Sequence, residues 1–338
     1  VFRLNTVIKG VGIYIPENVY TSEEVETMAG YEKYGVRHGI VKMITGCSTR
    51  HYVSEGELSS DVASKAALQA MKNAAVLPEA IDAVLFCSVT QDFAEPATAN
   101  VVADTLNTRN AYVFDVKNGC NGFLSGIDVA DSLIRTGKAR TVLVVSGEAI
   151  SRWVKFDYQS REEILEGSPV TLSLGDGGGA FVLQGEDTAG KGILKTFFRT
   201  IPELWNNNVM WGGGTAFPRD PEKMYIPGTT KPLVDTQVAI ADKYIVGMLD
   251  ELGWSIEDVD FIASSQVAKW IVEKTREKLD VPVEKTSDIL AKWGNVASSN
   301  IPLAVYDAME QGKIKEGSKV VFIGGAVGFS SCVMAVQF

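Results

Sequence analysis

Tyr112-Val113-Phe114-Asp115-Val116-Lys117-Asn118-Gly119-Cys120-Asn121-Gly122-Phe123 is the stretch that sets the fold. Residues 111–116 alternate and are apolar enough for a buried strand. Asn118, Gly119, Asn121 and Gly122 are turn formers, with Cys120 in their midst. Phe123, Leu124, Ile127, Ala130, Leu133 and Ile134 then recur at helical spacing until Gly137, where a helix stop is expected. The order is strand, turn, helix, with a cysteine at the helix N-terminus. Free backbone N–H groups and a positive partial charge at that place are expected to lower the thiol pKa. A small buried cysteine filling a gap is the other reading. The flanking glycines favour a nucleophile, because they let a substrate approach the backbone closely.

Working outward, apolar runs and helical patterns alternate along all 338 residues, which indicates an α/β protein. Residues 7–15, 83–89, 141–146 and 261–264 read as strands, and residues 320–329 and 332–338 as two strands joined by a glycine-rich turn. Residues 60–75, 96–106, 234–252, 267–279 and 299–311 read as helices, and Thr21-Ser22-Glu23-Glu24 is a helix start. Residues 151–170 are polar and read as an excursion. Gly175-Asp176-Gly177-Gly178-Gly179-Ala180 lacks the lysine of a phosphate loop and the spacing of a dinucleotide fingerprint, so close backbone packing is expected there. The irregular residues 200–232 are expected to form a lid or pocket wall. Strand–loop–helix units recur on both sides of residue 190, dividing the chain into halves 1–190 and 191–338.

Composition narrows the function. An apolar content of 46% and a charged content of 22% are those of an ordinary globular protein. No apolar run approaches the roughly 18 residues of a membrane span, and the opening residues do not read as a signal peptide. A net charge of −10 argues against nucleic acid as a bulk partner. Cys47, Cys87, Cys120 and Cys332 are widely spaced, with no Cys-x-x-Cys pair, so neither zinc nor a disulfide framework is expected and a cytoplasmic setting fits. The only histidines are His38 and His51.

The Cys120 turn, the Gly175–Ala180 turn, Trp293-Gly294-Asn295 and the Gly324–Phe329 tail occur in the order that resembles ketoacyl-ACP synthase III enzymes. The likeness covers essentially the whole chain. It implies the thiolase fold, a five-layer αβαβα sandwich of two similar halves, and an obligate homodimer. Asp92-Phe93-Ala94-Glu95-Pro96-Ala97-Thr98-Ala99 and Val144-Val145-Ser146-Gly147-Glu148 resemble, more narrowly, the acyl-CoA condensing enzymes of olefin and pyrone biosynthesis.

The resemblance implies roles. Cys120 would accept an acyl group from an acyl-CoA or acyl-carrier-protein thioester, with no further cofactor. Backbone N–H groups of Cys120 and Val327 would form the oxyanion hole, and Asn295 would donate to the second substrate's carbonyl. Glu95 would cross the dimer interface as the base of a Claisen-type condensation; capping of the following helix is its other reading. Ser265 stands where the family has histidine, and serine is a weaker donor with no useful basicity near neutral pH. Neither His38 nor His51 occupies a motif position that replaces it. Ile40, Ile44 and Trp270 stand where the family holds coenzyme A with tryptophan and arginines. Acyl transfer to an amine or hydroxyl, or a half-active partner of a complete paralogue, are the rival functions.

Overall fold

Eleven strands resolve into two large sheets and one small ribbon in a computed structural model that describes residues 4–228 and 243–338. The strands are β1 (Asn5–Tyr14), β2 (Asn18–Thr21), β3 (Thr49–Tyr52), β4 (Ala83–Phe86), β5 (Tyr112–Asp115) and β6 (Thr141–Glu148). β7 (Gly177–Glu186), β8 (Gly192–Thr200), β9 (Phe261–Ser264), β10 (Lys319–Ala326) and β11 (Ser330–Gln337) follow. The first sheet has the order β1-β7-β6-β4-β5, with β4 parallel to both β5 and β6. The second has the order β8-β11-β10-β9, with β9 and β10 parallel. β2 and β3 form the ribbon.

The helices are α1 (Ser22–Met28), α2 (Ile40–Thr45), α3 (Ser59–Ala74), α4 (Thr98–Thr105), α5 (Gly122–Arg135) and α6 (Arg161–Thr171). They continue with α7 (residues 243–252), α8 (Lys269–Lys278), α9 (Leu290–Trp293) and α10 (Asn300–Glu310).

Alternation along the strands builds the layers. Val320 and Phe322 of β10 point into the central core, whereas Val321 and Ile323 point to the outer one. The central core holds α5 and α10 between the sheets, with Phe123, Ile127, Leu303 and Phe181 fully buried. Each side chain of that size contributes about 1.5–3 kcal/mol by leaving water. α3 and α4 cover the far face of the first sheet, and α7 and Leu279 that of the second. The result is helix, sheet, helix, sheet, helix, as the resemblance implied. β7 and β8, on either side of residue 190, belong to different sheets.

Most expected elements appear within a residue or two, but the strand expected to be buried over 111–116 is β5 at a sheet edge, with Tyr112 65% exposed. Thr21 and Glu24 form a reciprocal cap at α1. Two further differences have physical causes, and a third is a longer strand. The polar excursion at 151–170 contains α6, where Ser160 caps the Glu163 N–H and Ile164 and Pro169 pack inward, so sparse apolar residues suffice once a neighbouring surface exists. The helix expected from residue 96 begins at Thr98, because the Asp115 carboxylate at the end of β5 accepts from Thr98 and Ala99 N–H at 2.9 and 2.8 Å. Asp115 thus caps α4, and Glu95 does not. β6 runs on through Gly147 to Glu148. Of the helix expected over 234–252, residues 234–242 lie outside the described residues, as do 229–232 of the expected lid.

Candidate active site

The Cys120 turn is built by local chemistry and then pinned from far away. Gly119 has φ +53°, a left-handed conformation that favours glycine. Asn121 N–H donates to the Asn118 carbonyl, and Ser125 N–H, one turn into α5, to that of Asn121. Asn121 Nδ2 then reaches 209 residues onward, donating to the Ser330 carbonyl at 3.0 Å and to Ser330 Oγ at 2.7 Å. A Cβ at Gly119 would stand 3.3 Å from Ala326 Cβ and 3.8 Å from the Val327 carbonyl oxygen. The Cys120 turn and the Val327 turn therefore touch, which places both expected oxyanion donors at one cavity.

That cavity has a volume of about 370 Å³. Cys120, Asn295 and Val327 all line it. Ile150, Trp153, Val170 and Leu174 add one wall, and Trp205, Val209, Met210, Ile226 and Pro227 add another. The irregular segment after β8 is thus a pocket wall, as expected. Lys117 is the only charged side chain on the lining; no carboxylate and no imidazole face it among the described residues.

Asn295 is held with its amide facing the cavity. Val296 N–H can only donate, so Asn300 Oδ1, 3.0 Å away, is the acceptor. Asn300 Nδ2 must then donate to Asn295 Oδ1 at 2.8 Å, which also accepts from Ala297 N–H at 3.1 Å. The oxygen end of Asn295 is engaged twice, leaving its NH₂ for a ligand. The two glycine motifs meet here as close-packed backbones. Gly175 N–H donates to the Asn295 carbonyl, Asn295 N–H to that of Ser173, and a Cβ at Gly175 would lie 2.3 Å from the Trp293 carbonyl. Asp176 steadies the opposite wall, accepting from Val53 and Ser151 N–H and from Ser151 Oγ; burial pushes its carboxyl up to about 6.

The expected thiol acidity is overturned. Cys120 is enclosed by apolar walls, and burial pushes its thiol up to about 12, with the charge that Glu148 would carry acting the same way. An apolar surround disfavours the anion more than the helix end favours it. Cys47, Cys87 and Cys332 are buried, and burial raises their thiols too. Only Cys120 opens onto the cavity.

The remaining expected residues fall apart in space. Ser265 follows β9, its hydroxyl buried with no hydrogen-bond partner, and two residues later Val267 reaches the cavity wall. His51 donates from Nδ1 to the Pro16 carbonyl at 2.6 Å, and His38 stands beside Glu26 and Glu32; neither lines the cavity. Glu95 is exposed before α4 and is not brought to Cys120 within one protomer. Ile40, Ile44 and Trp270 lie outside the lining, on α2 and α8. Glu148, fully buried at the end of β6 behind Cys120, stands in the sequence only as the last residue of the Val144–Glu148 motif with no role of its own, because its burial and its partners are set by distant segments.

A five-layer α/β sandwich with a cysteine at a strand-to-helix turn and a facing asparagine amide defines a condensing enzyme of the thiolase type. Residues 114–202 match the profile described as 3-oxoacyl-[acyl-carrier-protein] synthase III, and residues 249–338 its C-terminal counterpart. The chain belongs to the 3-oxoacyl-[acyl-carrier-protein] synthase III family and is an acyl-thioester condensing enzyme. It is 30% identical over 335 residues to the beta-ketoacyl-[acyl-carrier-protein] synthase III of Listeria monocytogenes, covering 99% of each chain. It is 29% identical over 334 residues to that of Ehrlichia canis, covering 98% of this chain and 99% of the relative. The Aquifex aeolicus 3-oxoacyl-[acyl-carrier-protein] synthase III structure superposes with a TM-score of 0.85 at 26% identity, covering 98% of this chain and all of that one. Cerulenin-bound OleA from Xanthomonas campestris has a TM-score of 0.87 at 23% identity, over 99% and 97% of the two chains, and shares the fold.

Proposed function

We propose that Cys120 takes an acyl group from an acyl-CoA or acyl-carrier-protein thioester and passes it to a second thioester in a Claisen-type condensation. The observation that carries this reading is the cavity itself, with one open thiol and one free amide inside apolar walls suited to an acyl chain. In the first half-reaction Cys120 Sγ bonds to the thioester carbonyl carbon, its proton leaves with the departing thiol, and the Cys120 and Val327 N–H groups face the developing oxyanion. In the second, the Asn295 amide donates to the acceptor's carbonyl while a base removes its α-proton. The carbanion attacks the acyl carbon, and Cys120 leaves as the thiolate.

The base comes from outside the protomer in this reading. The lining offers no carboxylate, and Glu95 stands exposed beside β5, the open edge of the first sheet, where Tyr112 is 65% exposed and Phe93 51%. An unpaired edge with exposed aromatics supports pairing with a second copy. We therefore place Glu95 of each protomer at the other's cavity in a homodimer. A cytoplasmic setting and independence from metal or organic cofactor complete the proposal. The full-length match to named synthases and the open thiol favour this reading over a half-active partner subunit.

Intact-mass spectrometry after exposure to a panel of acyl-CoA and acyl-carrier thioesters tests it. One acyl group per chain is expected, mapped to Cys120 and absent from Cys120→Ala. A label on Cys47, Cys87 or Cys332 would remove the central assignment.

A further inference from the structure

Ser298 Oγ lies 2.6 Å from Glu148 Oε1 and 2.7 Å from the Cys87 carbonyl oxygen. Both separations are hydrogen-bond distances between oxygens, so each contact needs a proton. The serine hydroxyl has one and a carbonyl has none. The second proton must sit on Glu148. The chain then runs from the Glu148 O–H to Ser298 Oγ, and from the Ser298 O–H to the Cys87 carbonyl. Were Glu148 ionised, Ser298 could satisfy only one acceptor, and the other would face its lone pairs at under 3 Å.

Oε1 also accepts from Val89 N–H at 2.9 Å and Ser298 N–H at 3.4 Å, and Oε2 from Thr90 N–H at 3.1 Å and Thr90 Oγ1 at 2.9 Å; these donors favour the charged form, and full burial with no paired cation outweighs them. No lysine, arginine or histidine pairs with Glu148 among the described residues. The titratable groups facing it are Cys120, on the turn before α5, and Asp176, before β7; a negative charge on Glu148 would oppose ionisation of both. Burial pushes the Glu148 carboxyl up, in the direction the proton count requires.

The place explains the use. Val89, whose N–H Glu148 holds, and Ala297, next to Ser298, both line the cavity, and Ala297 adjoins the turn that carries Asn295. The Cys87 carbonyl lies beneath Gly122, two residues past the nucleophile, where an added Cβ would come within 3.1 Å of it.

We propose that Glu148 is a positioning residue that acts as a neutral carboxylic acid, clamping the Ala297 side of the cavity to the Val89 side through Ser298 without placing a negative charge beside Cys120. Already protonated, it cannot take the Cys120 proton, so it is no substitute for the missing histidine. The inference rests on Cys120 being the acylated residue only for its catalytic consequence. Glutamine cannot replace it fully, because one atom must both donate to Ser298 and accept from Val89 N–H, which an amide NH₂ cannot do.

The test joins infrared spectroscopy to thiol chemistry. The wild-type protein at neutral pH should show a protonated-carboxyl band that is absent from Glu148→Gln and shifted in Ser298→Ala, where the acid loses its acceptor. Glu148→Gln exchanges one neutral group for another, so the pH profile of Cys120 alkylation by iodoacetamide should keep its position while condensation falls at least tenfold. No such band in the wild type, or an alkylation profile moved a pH unit or more downward by Glu148→Gln, would show a charged Glu148 and overturn the proposal; unchanged condensation would overturn the clamp. Should Glu148→Gln not fold, the wild-type band and its shift in Ser298→Ala decide alone. Acylation mapping away from Cys120 would instead refute the proposed function while leaving the acid band in place.

Discussion

At the scale of single residues, Cys120 and Ser265 pose one problem together. A thiol at about 12 presents a thiolate fraction on the order of 10⁻⁵ at pH 7, and no base on the cavity lining raises it. Cys120 alkylation by iodoacetamide should therefore climb about tenfold per pH unit through neutrality, with no plateau below pH 9. A histidine at position 265 would supply a proton acceptor and, once protonated, a donor to an enolate oxygen. General acid–base help of this kind is worth roughly 10²–10⁴-fold. Ser265→His should raise acylation, and condensation more, with Ser265→Ala matching the parent. If the histidine variant improves neither step in stopped-flow and product assays, Ser265 is itself adapted to a different acyl acceptor.

At the scale of elements, one carboxylate joins the strand before Cys120 to the helix after Glu95. Asp115 closes two N–H groups at the start of α4, where no other side chain caps, and burial raises its carboxyl. Asp115→Ala should lower stability by about 1 kcal/mol in urea titrations, the usual cost of a lost N-cap. It should also slow condensation more than acylation, because the loop that carries Glu95 ends at this helix. Equal slowing of both steps would separate Glu95 from the second half-reaction. Glycine plays its part where two loops cross, at Gly175 and Gly294, since a Cβ at either would strike the other loop's backbone within 2.7 Å, at the Trp293 and Ser173 carbonyls.

At the scale of the whole molecule, two copies are expected to share the work. Mixing Glu95→Gln with Cys120→Ala subunits should restore activity in the heterodimer, where one cavity has both an intact Cys120 and a partner's intact Glu95. Silence from verified heterodimers would confine catalysis to one protomer. Asp176 offers a second measurement. Its folded carboxyl, near 6, lies above its unfolded value, so its contribution to stability is full below about pH 4 and lost as pH rises through 6. The stability difference between wild type and Asp176→Asn should thus shrink by up to about 3 kcal/mol between pH 4 and pH 7. A difference independent of pH would mean that the buried carboxyl ionises normally.

Read alone, the amino-acid order determined the strand–turn–helix around Cys120, the alternation of strands and helices, and the close backbone packing at Gly175–Ala180. These are local: turn residues fix φ, and a period of two or 3.6 marks a face, whatever lies beyond. The fold family was legible for the same reason, as a succession of such local signatures. Tertiary structure alone decided the rest. The thiol of Cys120 rises because walls from residues 150–174 and 205–227 exclude water from it. Asn295 turns its amide inward because Asn300 and Ala297 occupy its oxygen, and α6 forms because a neighbouring surface accepts its few apolar side chains. Glu148 keeps its proton because Ser298, 150 residues away, brings a second acceptor within reach. Each depends on which distant group arrives within a few ångströms, and desolvation and hydrogen bonding act only at that range.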